Sequence, residues 1–128
     1  MNADERRYET LTQNVLGAVF EVSNTLGAGS PEKLYERALM LEFGLRGIRA
    51  TAQTSYTVSY KGISVGEYFA DMLVEDVLLI ELKCVDRLHS EHTGQCLNYL
   101  RASGLELCLL INLEHPKVEF KRVARSRE

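Results

Sequence analysis

Apolar positions recur every three or four residues near the start of the chain: Leu11, Val15, Ala18, Val19, Val22 and Leu26. That spacing is one face of an α-helix, and Gly27 and Gly29 stop it. Ser30-Pro31-Glu32 reads as a second helix start, with Ser30 as cap, Pro31 in the first helical position and an acidic first turn. Leu34, Ala38 and Leu41 form its expected apolar stripe, and Gly44 or Gly47 ends it. The period then changes. Tyr56-Thr57-Val58-Ser59-Tyr60 alternates like a strand, Lys61-Gly62 is a turn, and Ile63-Ser64-Val65 begins the return. Two more β-like runs, 67–74 and 77–84, meet at Glu75-Asp76. A helical pattern from Ser90 to Ala102 places Cys96, Leu97 and Leu100 inward, with Ser90 as cap and Gly104 as stop. The run 105–113 is almost continuously apolar, as in a strand covered on both faces. Val118, Phe120 and Val123 mark a weaker final strand. The predicted order is αα-βββ-α-β(β): a mixed α/β domain with a four- to five-stranded sheet flanked by helices.

Composition adds little to that picture and excludes some classes. The 128 residues, 45% hydrophobic and 26% charged, suit a single domain with a core over about 11–123. No apolar run approaches the ~18 residues of a membrane span, and the polar N-terminus lacks a secretory pattern. Cys84, Cys96 and Cys108 are odd in number and widely spaced. With His89, His92 and His115 they make no zinc pattern, so the expectation is buried thiols in a cytoplasmic protein. His89 and His92 read as surface residues at a helix start. The net charge of −3 argues against a strongly basic nucleic-acid binder. Its distribution softens that objection. Glu67, Asp71, Glu75, Asp76, Glu81 and Asp86 face Lys83 alone in the middle of the chain, whereas Lys117, Lys121, Arg122, Arg125 and Arg127 crowd the end and could hold a phosphate backbone.

The chemistry concentrates in the middle segment. Along Val77–Cys84, Leu78, Ile80, Leu82 and Cys84 share one face and Glu81 and Lys83 the other. Burying that carboxylate and ammonium is costly unless something pairs with them. One reading is a structural ion pair between Glu81 and Lys83. The other brings in Asp71, a charge in the preceding β-prone run, so that two carboxylates and a lysine make a divalent-cation site. Register discriminates. A two-residue loop at Glu75-Asp76 sets Asp71 opposite Ile80, whereas a shared site needs Asp71 opposite Glu81 and therefore an odd-numbered connection or a bulge.

Asp71, then nine intervening residues, then Glu81-Leu82-Lys83 resembles the PD-(D/E)xK nuclease superfamily, although no proline precedes Asp71. Gly29-Ser30-Pro31-Glu32-Lys33-Leu34-Tyr35 resembles the signature of the GxxExxY proteins, and Gln95-Cys96-Leu97-Asn98-Tyr99 the QxxxY motif of the RecB-like branch. The resemblance implies a restriction-endonuclease-like core and a Mg²⁺-dependent nuclease, with Mn²⁺ as a substitute, that hydrolyses DNA or, as second choice, RNA. It implies Asp71, Glu81 and the Leu82 backbone carbonyl as metal ligands, with Glu32 reaching the metal directly or through water. Lys83 would position the attacking water or stabilise the developing charge, and Gln95 and Tyr99 would orient the lysine or contact a phosphate. Without the resemblance, Glu32 reads as a helix-dipole carboxylate and Tyr99 as core packing. The alternative function is a catalytically weak or inactive nucleic-acid-binding or assembly module on the same fold; an α/β interaction protein with coincidental motifs stands third. A homodimer, or a partner protein that supplies specificity, is compatible with each.

Overall fold

The computed structural model describes residues 2–125. Helix α1 (Ala3–Leu26) begins well before the periodic stretch, because the Asn2 side chain caps it by accepting from the Glu5 N–H at 2.8 Å. Helix α2 spans Glu32–Leu45, followed by strands β1 (Ala50–Tyr60), β2 (Ile63–Val74) and β3 (Leu78–Lys83). Helix α3 (Ser90–Ser103), β4 (Leu107–Asn112) and β5 (Glu119–Ala124) complete the expected order. The five strands lie in sequence order, β1-β2-β3-β4-β5. All neighbours are antiparallel except β3 and β4, which run parallel because α3 crosses between them.

Two apolar cores sandwich the sheet. Val15, Val19 and Val22 of α1 and Tyr35, Leu39 and Phe43 of α2 pack on Ile80, Leu82, Leu109 and Ile111. On the other face, Cys96, Tyr99 and Leu100 of α3 pack on Leu79, Cys108 and Leu110. Strand β4 therefore feeds both cores, which accounts for its unbroken apolar run.

The buried face of α2 differs from the expected one. Leu34 is 48% and Leu41 67% exposed, while Tyr35, Glu36, Leu39 and Phe43 are buried. The large rings decide: Tyr35 and Phe43, two turns apart, bury more apolar area than Leu34 and Leu41 would. Ser30 does not cap the helix either. Pro31 stands at the cap, and the Ser30 N–H instead donates to the Tyr35 hydroxyl at 3.2 Å. That hydroxyl donates to the Gly27 carbonyl at 2.5 Å, so a buried tyrosine ties down the loop leading into α2. In α3 the cap is His89, whose N–H donates to His92 Nδ1 at 3.0 Å, not Ser90.

The sheet changes sides partway along its first hairpin. Ala50 and Ala52 of β1, and Met72 and Val74 of β2, belong to the α1/α2 core. Tyr56 of β1, and Tyr68 and Ala70 of β2, belong to the α3 core. Residues of equal parity should share a face, so both strands turn over between these positions, at Gln53 and Asp71.

Candidate functional site

The connection between β2 and β3 holds three residues, Glu75-Asp76-Val77, since Val74 pairs with Leu78. Glu75 and Asp76 take left-handed backbone (φ 51° and 61°), and the Val77 N–H donates to the Val74 carbonyl at 3.1 Å. This is a two-residue turn of the mirror-image type followed by one extra residue. The odd count carries the register Met72↔Ile80 onward, so that Asp71 falls beside Glu81. The shared-site geometry is the one observed.

Backbone pairing between β2 and β3 ends at Met72 and Ile80, and side chains take over. The Asp71 N–H donates to Glu81 Oε1 at 2.9 Å, and the Leu82 N–H donates to Asp71 Oδ2 at 2.7 Å. The two carboxylates thus fill the fork where β2 leaves β3. Each uses one oxygen in these bonds, leaving Asp71 Oδ1 and Glu81 Oε2 without a hydrogen bond among the described residues. On the far side of β3, the Lys83 carbonyl accepts from the Leu113 N–H at 2.9 Å. Leu82, one residue earlier, turns its N–H and carbonyl toward the fork, because N–H and C=O of one strand residue share a side.

The electrostatics are those of crowded negative charge. Burial, then the charge of Asp71, pushes Glu81 up to about 8 despite the Asp71 N–H and Lys83. Burial also raises Asp71, outweighing the Leu82 N–H, with Glu36 adding to the rise and Lys83 and Lys33 opposing it. Glu32 lies on an exposed position of α2, yet its carboxyl is raised by partial burial first and Asp71 next. Tyr99 is 6% exposed, and its hydroxyl is held protonated by burial and then by Glu81 and Asp71. Lys83 opposes the rise at Glu32, Asp71 and Glu81, but it forms no ion pair among the described residues. The structural Glu81–Lys83 pair is therefore not what the strand builds.

The structure accordingly brings Asp71, Glu81, Leu82, Lys83 and Tyr99 together. Glu32 stands in their field, but among the described residues no three His, Cys, Asp or Glu side chains form one metal-sized cluster. Direct side-chain donors to a cation are thus Asp71 and Glu81, with the Leu82 carbonyl beside them. This all-oxygen set, repelling itself and half satisfied, fits a hard divalent cation that completes its shell with water. Gln95 lies one turn before Tyr99, half-buried and without a hydrogen bond among the described residues. The Tyr99 ring meets Tyr68 at 5.4 Å between centroids.

Sequence reasoning missed three polar residues here. Glu36 is 8% exposed, and both its carboxylate oxygens accept from Gln53 Nε2 at 3.2 Å. Asn112, 1% exposed at the end of β4, clamps Val85: its Nδ2 donates to the Val85 carbonyl at 2.8 Å and its Oδ1 accepts from the Val85 N–H at 3.1 Å. That contact fixes the chain just past Lys83. Glu36 was legible as the i+4 neighbour of Glu32, and Asn112 as the polar end of an apolar run. The C-terminal basic residues do not form one stripe. Lys121 faces α3, its Nζ donating to Thr93 Oγ1 at 3.4 Å, while Arg122 borders Tyr8 and Thr12 of α1. Alternation along β5 separates them; Arg127 lies outside the described residues. Cys96 and Cys108 are buried, Cys84 is half-buried, and none is in a disulfide.

Comparison with curated protein sequences finds no match. Among solved structures, the crystal structure of SSO0001 superposes with a TM-score of 0.60 at 17% identity, covering 95% of this chain. The chain spans only 61% of that protein's length. An alkaline exonuclease (LHK-Exo) from Laribacter hongkongensis gives a TM-score of 0.50 at 14% identity, over 84% of this chain and 76% of its own. LHK-Exo has also been solved in complex with dAMP. These likenesses establish a nuclease-like fold, consistent with the restriction-endonuclease-like core. A family model matches residues 9–123, nearly the whole chain, and by that match the protein belongs to the PD-(D/E)XK nuclease superfamily.

Proposed function

We propose that this protein is a divalent-cation-dependent nuclease that hydrolyses phosphodiester bonds of DNA at the Asp71–Glu81 fork, within the GxxExxY group and the RecB-like branch. The observation that carries the reading is the fork itself: two interlocked carboxylates, Glu81 buried and Asp71 half-buried, with Lys83 in their field and paired to neither. Nucleases of this superfamily typically use divalent metals. Asp71 Oδ1, Glu81 Oε2 and the Leu82 carbonyl would hold Mg²⁺, or Mn²⁺ in its place, and Glu32 would reach it through water. The bound ion supplies positive charge that polarises the phosphate and acidifies water.

The chain's own groups do the rest. The Lys83 ammonium, not neutralised by a carboxylate, holds the attacking water or meets the charge developing on the phosphate oxygens. Tyr99, kept protonated by burial and then by the same carboxylates, can donate a hydrogen bond toward a phosphate. Gln95, one turn away on α3, offers an amide to the same ligand. The likeness in fold to an alkaline exonuclease that has been solved with dAMP, a deoxynucleotide, supports DNA as the substrate. Cysteines outside any disulfide fit a reducing cytoplasm. Among the described residues no helix is long and apolar enough to cross a membrane.

The test is cleavage of plasmid, linear duplex, single-stranded DNA and RNA with Mg²⁺, Mn²⁺ or chelator. The wild type should cut DNA only with a cation, and Asp71→Asn or Lys83→Ala should lower the rate by about 10²–10³. Undiminished cutting by either variant sinks the mechanism. No cutting of any substrate, with a melting temperature indifferent to both cations, would favour a binding or assembly module on this fold.

A further inference from the structure

Among the described residues, four other than glycine have left-handed backbone: Gln53 (φ 55°), Lys61, Glu75 and Asp76. The last three sit in hairpin turns, where that conformation is needed. Gln53 lies inside β1. It falls between the pairs Ala52↔Met72 and Thr54↔Ala70, hence opposite Asp71, yet the two do not pair in the ladder. A residue bearing a Cβ adopts this backbone inside a strand only when its surroundings require it.

The side chain shows what is obtained. Gln53 Nε2 lies 3.2 Å from each carboxylate oxygen of Glu36, the one charged group on the buried face of α2. Among the described residues the cation paired with that carboxylate is Lys33, at 3.6 Å and with its side chain 60% exposed. Glu36 is thus enclosed mainly by a neutral amide, next to Asp71. A merely structural carboxylate in such a place would be replaceable by an apolar side chain at no loss.

We propose that Gln53 and Glu36 form a positioning pair for the carboxylate fork. By turning its backbone, Gln53 holds the Glu36 carboxylate on the Asp71 side of the site, where it adds negative charge and an acceptor for the water shell of a divalent cation. The pair does not touch the reacting atoms. It acts through cation affinity, and so this inference rests on the nuclease reading of the fork.

Gln53→Gly keeps the left-handed backbone without strain and removes the amide; Glu36→Gln keeps the size and removes the charge. Three quantities are read on the full chain: melting temperature without cation, the Mg²⁺ concentration giving half the cation-induced melting shift, and kcat and KM for DNA against Mg²⁺. Glu36→Gln should melt cation-free at or above the wild-type temperature, and Gln53→Gly, which leaves the buried Glu36 carboxylate without its amide, below it. Half-saturating Mg²⁺ should rise about tenfold, as for loss of a group that orients metal ligands. KM for DNA should hold, and kcat should return to the wild-type value at high Mg²⁺, a recovery that a folding defect would not give. Half-saturation equal to the wild type in both variants overturns the pair and leaves the nuclease reading standing. A wild type with neither cation-induced melting shift nor cleavage overturns both.

Discussion

Strands β2 and β3 are joined in two ways within a few residues. From Met72 to Val74 and Leu78 to Ile80 the backbones pair regularly, and Met72, Val74, Leu78, Leu79 and Ile80 are fully buried. One step further, Asp71 and Glu81 replace the ladder with their own carboxylates. The first region gains stability from apolar burial and satisfied peptides. The second loses it, since burial and the charge of Asp71 make Glu81 hold a proton far above its ordinary range. What lets the fork persist is β4, which stays paired with β3 along its whole length, from Leu78↔Leu107 to Lys83↔Asn112. The ladder is a rigid mount, and the fork is the strained device it carries.

The severest way to break the contrast is to carry the fork's charge into the ladder with Ile80→Asp. Ile80 is fully buried opposite Met72, so the new carboxylate would have no partner. Cooperative thermal unfolding should disappear, as circular dichroism would show; a native melt would mean that the ladder tolerates the charge the fork carries and is not its rigid mount. Next in size is a direct comparison of the two regions in urea without cation. Ile80→Ala should cost about 2–5 kcal/mol, as a cavity in a packed core does. Glu81→Gln should cost nothing or stabilise, because a neutral amide need not take up a proton on folding as Glu81 does, and it keeps an acceptor for the Asp71 N–H. A loss at Glu81→Gln as large as at Ile80→Ala would make the fork a structural element.

How far the sequence spoke follows the same division. Asp71, Glu81 and Lys83 stood out because a charge inside an apolar β run is anomalous on any reading, and their register followed from parity. The α2 stripe misled because Leu34 and Leu41 have the right spacing, while the true face includes Glu36, a charge that simple patterning assigns to solvent. Gln53 was invisible. Left-handed backbone at glutamine has no local signature and arises only from the contact with Glu36, which is long-range. Ser30 was a plausible cap until the Tyr35 hydroxyl, five residues on, claimed its N–H. Element order was local information; the polar contacts that shape the site were not.

A milder probe is pH. In the folded, cation-free protein Glu81 keeps its proton up to about 8, against 4.5 for an ordinary glutamate. Between those values the folded state holds a proton that the unfolded chain has released, so stability falls as pH rises, by up to about 1.4 kcal/mol per pH unit. Below the lower value the contribution is fully present. Urea midpoints at about pH 5.5 and 7.5, both inside that window, should differ in the wild type and converge in Glu81→Gln. Saturating Mg²⁺ should flatten the dependence as well. Equal slopes with and without Glu81 would assign the pH response elsewhere.

The smallest effect separates turn conformation from turn contacts. Left-handed backbone at Glu75 and Asp76 is unfavourable by about 1–2 kcal/mol each, which glycine would relieve, less about 0.5–1 kcal/mol for the added freedom of the unfolded chain. Against this stand contacts with Arg49. Its guanidinium reaches Asp76 Oδ2 at 2.8 Å with both side chains largely exposed, at 69% and 73%, a pair of little net value. Glu75 does more, since its Oε1 also accepts from the Arg49 N–H at 3.1 Å. Asp76→Gly should therefore stabilise by about 0.5 kcal/mol and Glu75→Gly should be close to neutral. Neither should alter cleavage, since the backbone that sets Asp71 against Glu81 is retained. A loss above about 1 kcal/mol at Asp76→Gly would show instead that the Arg49 contacts, and not the left-handed pair, hold the strands in register.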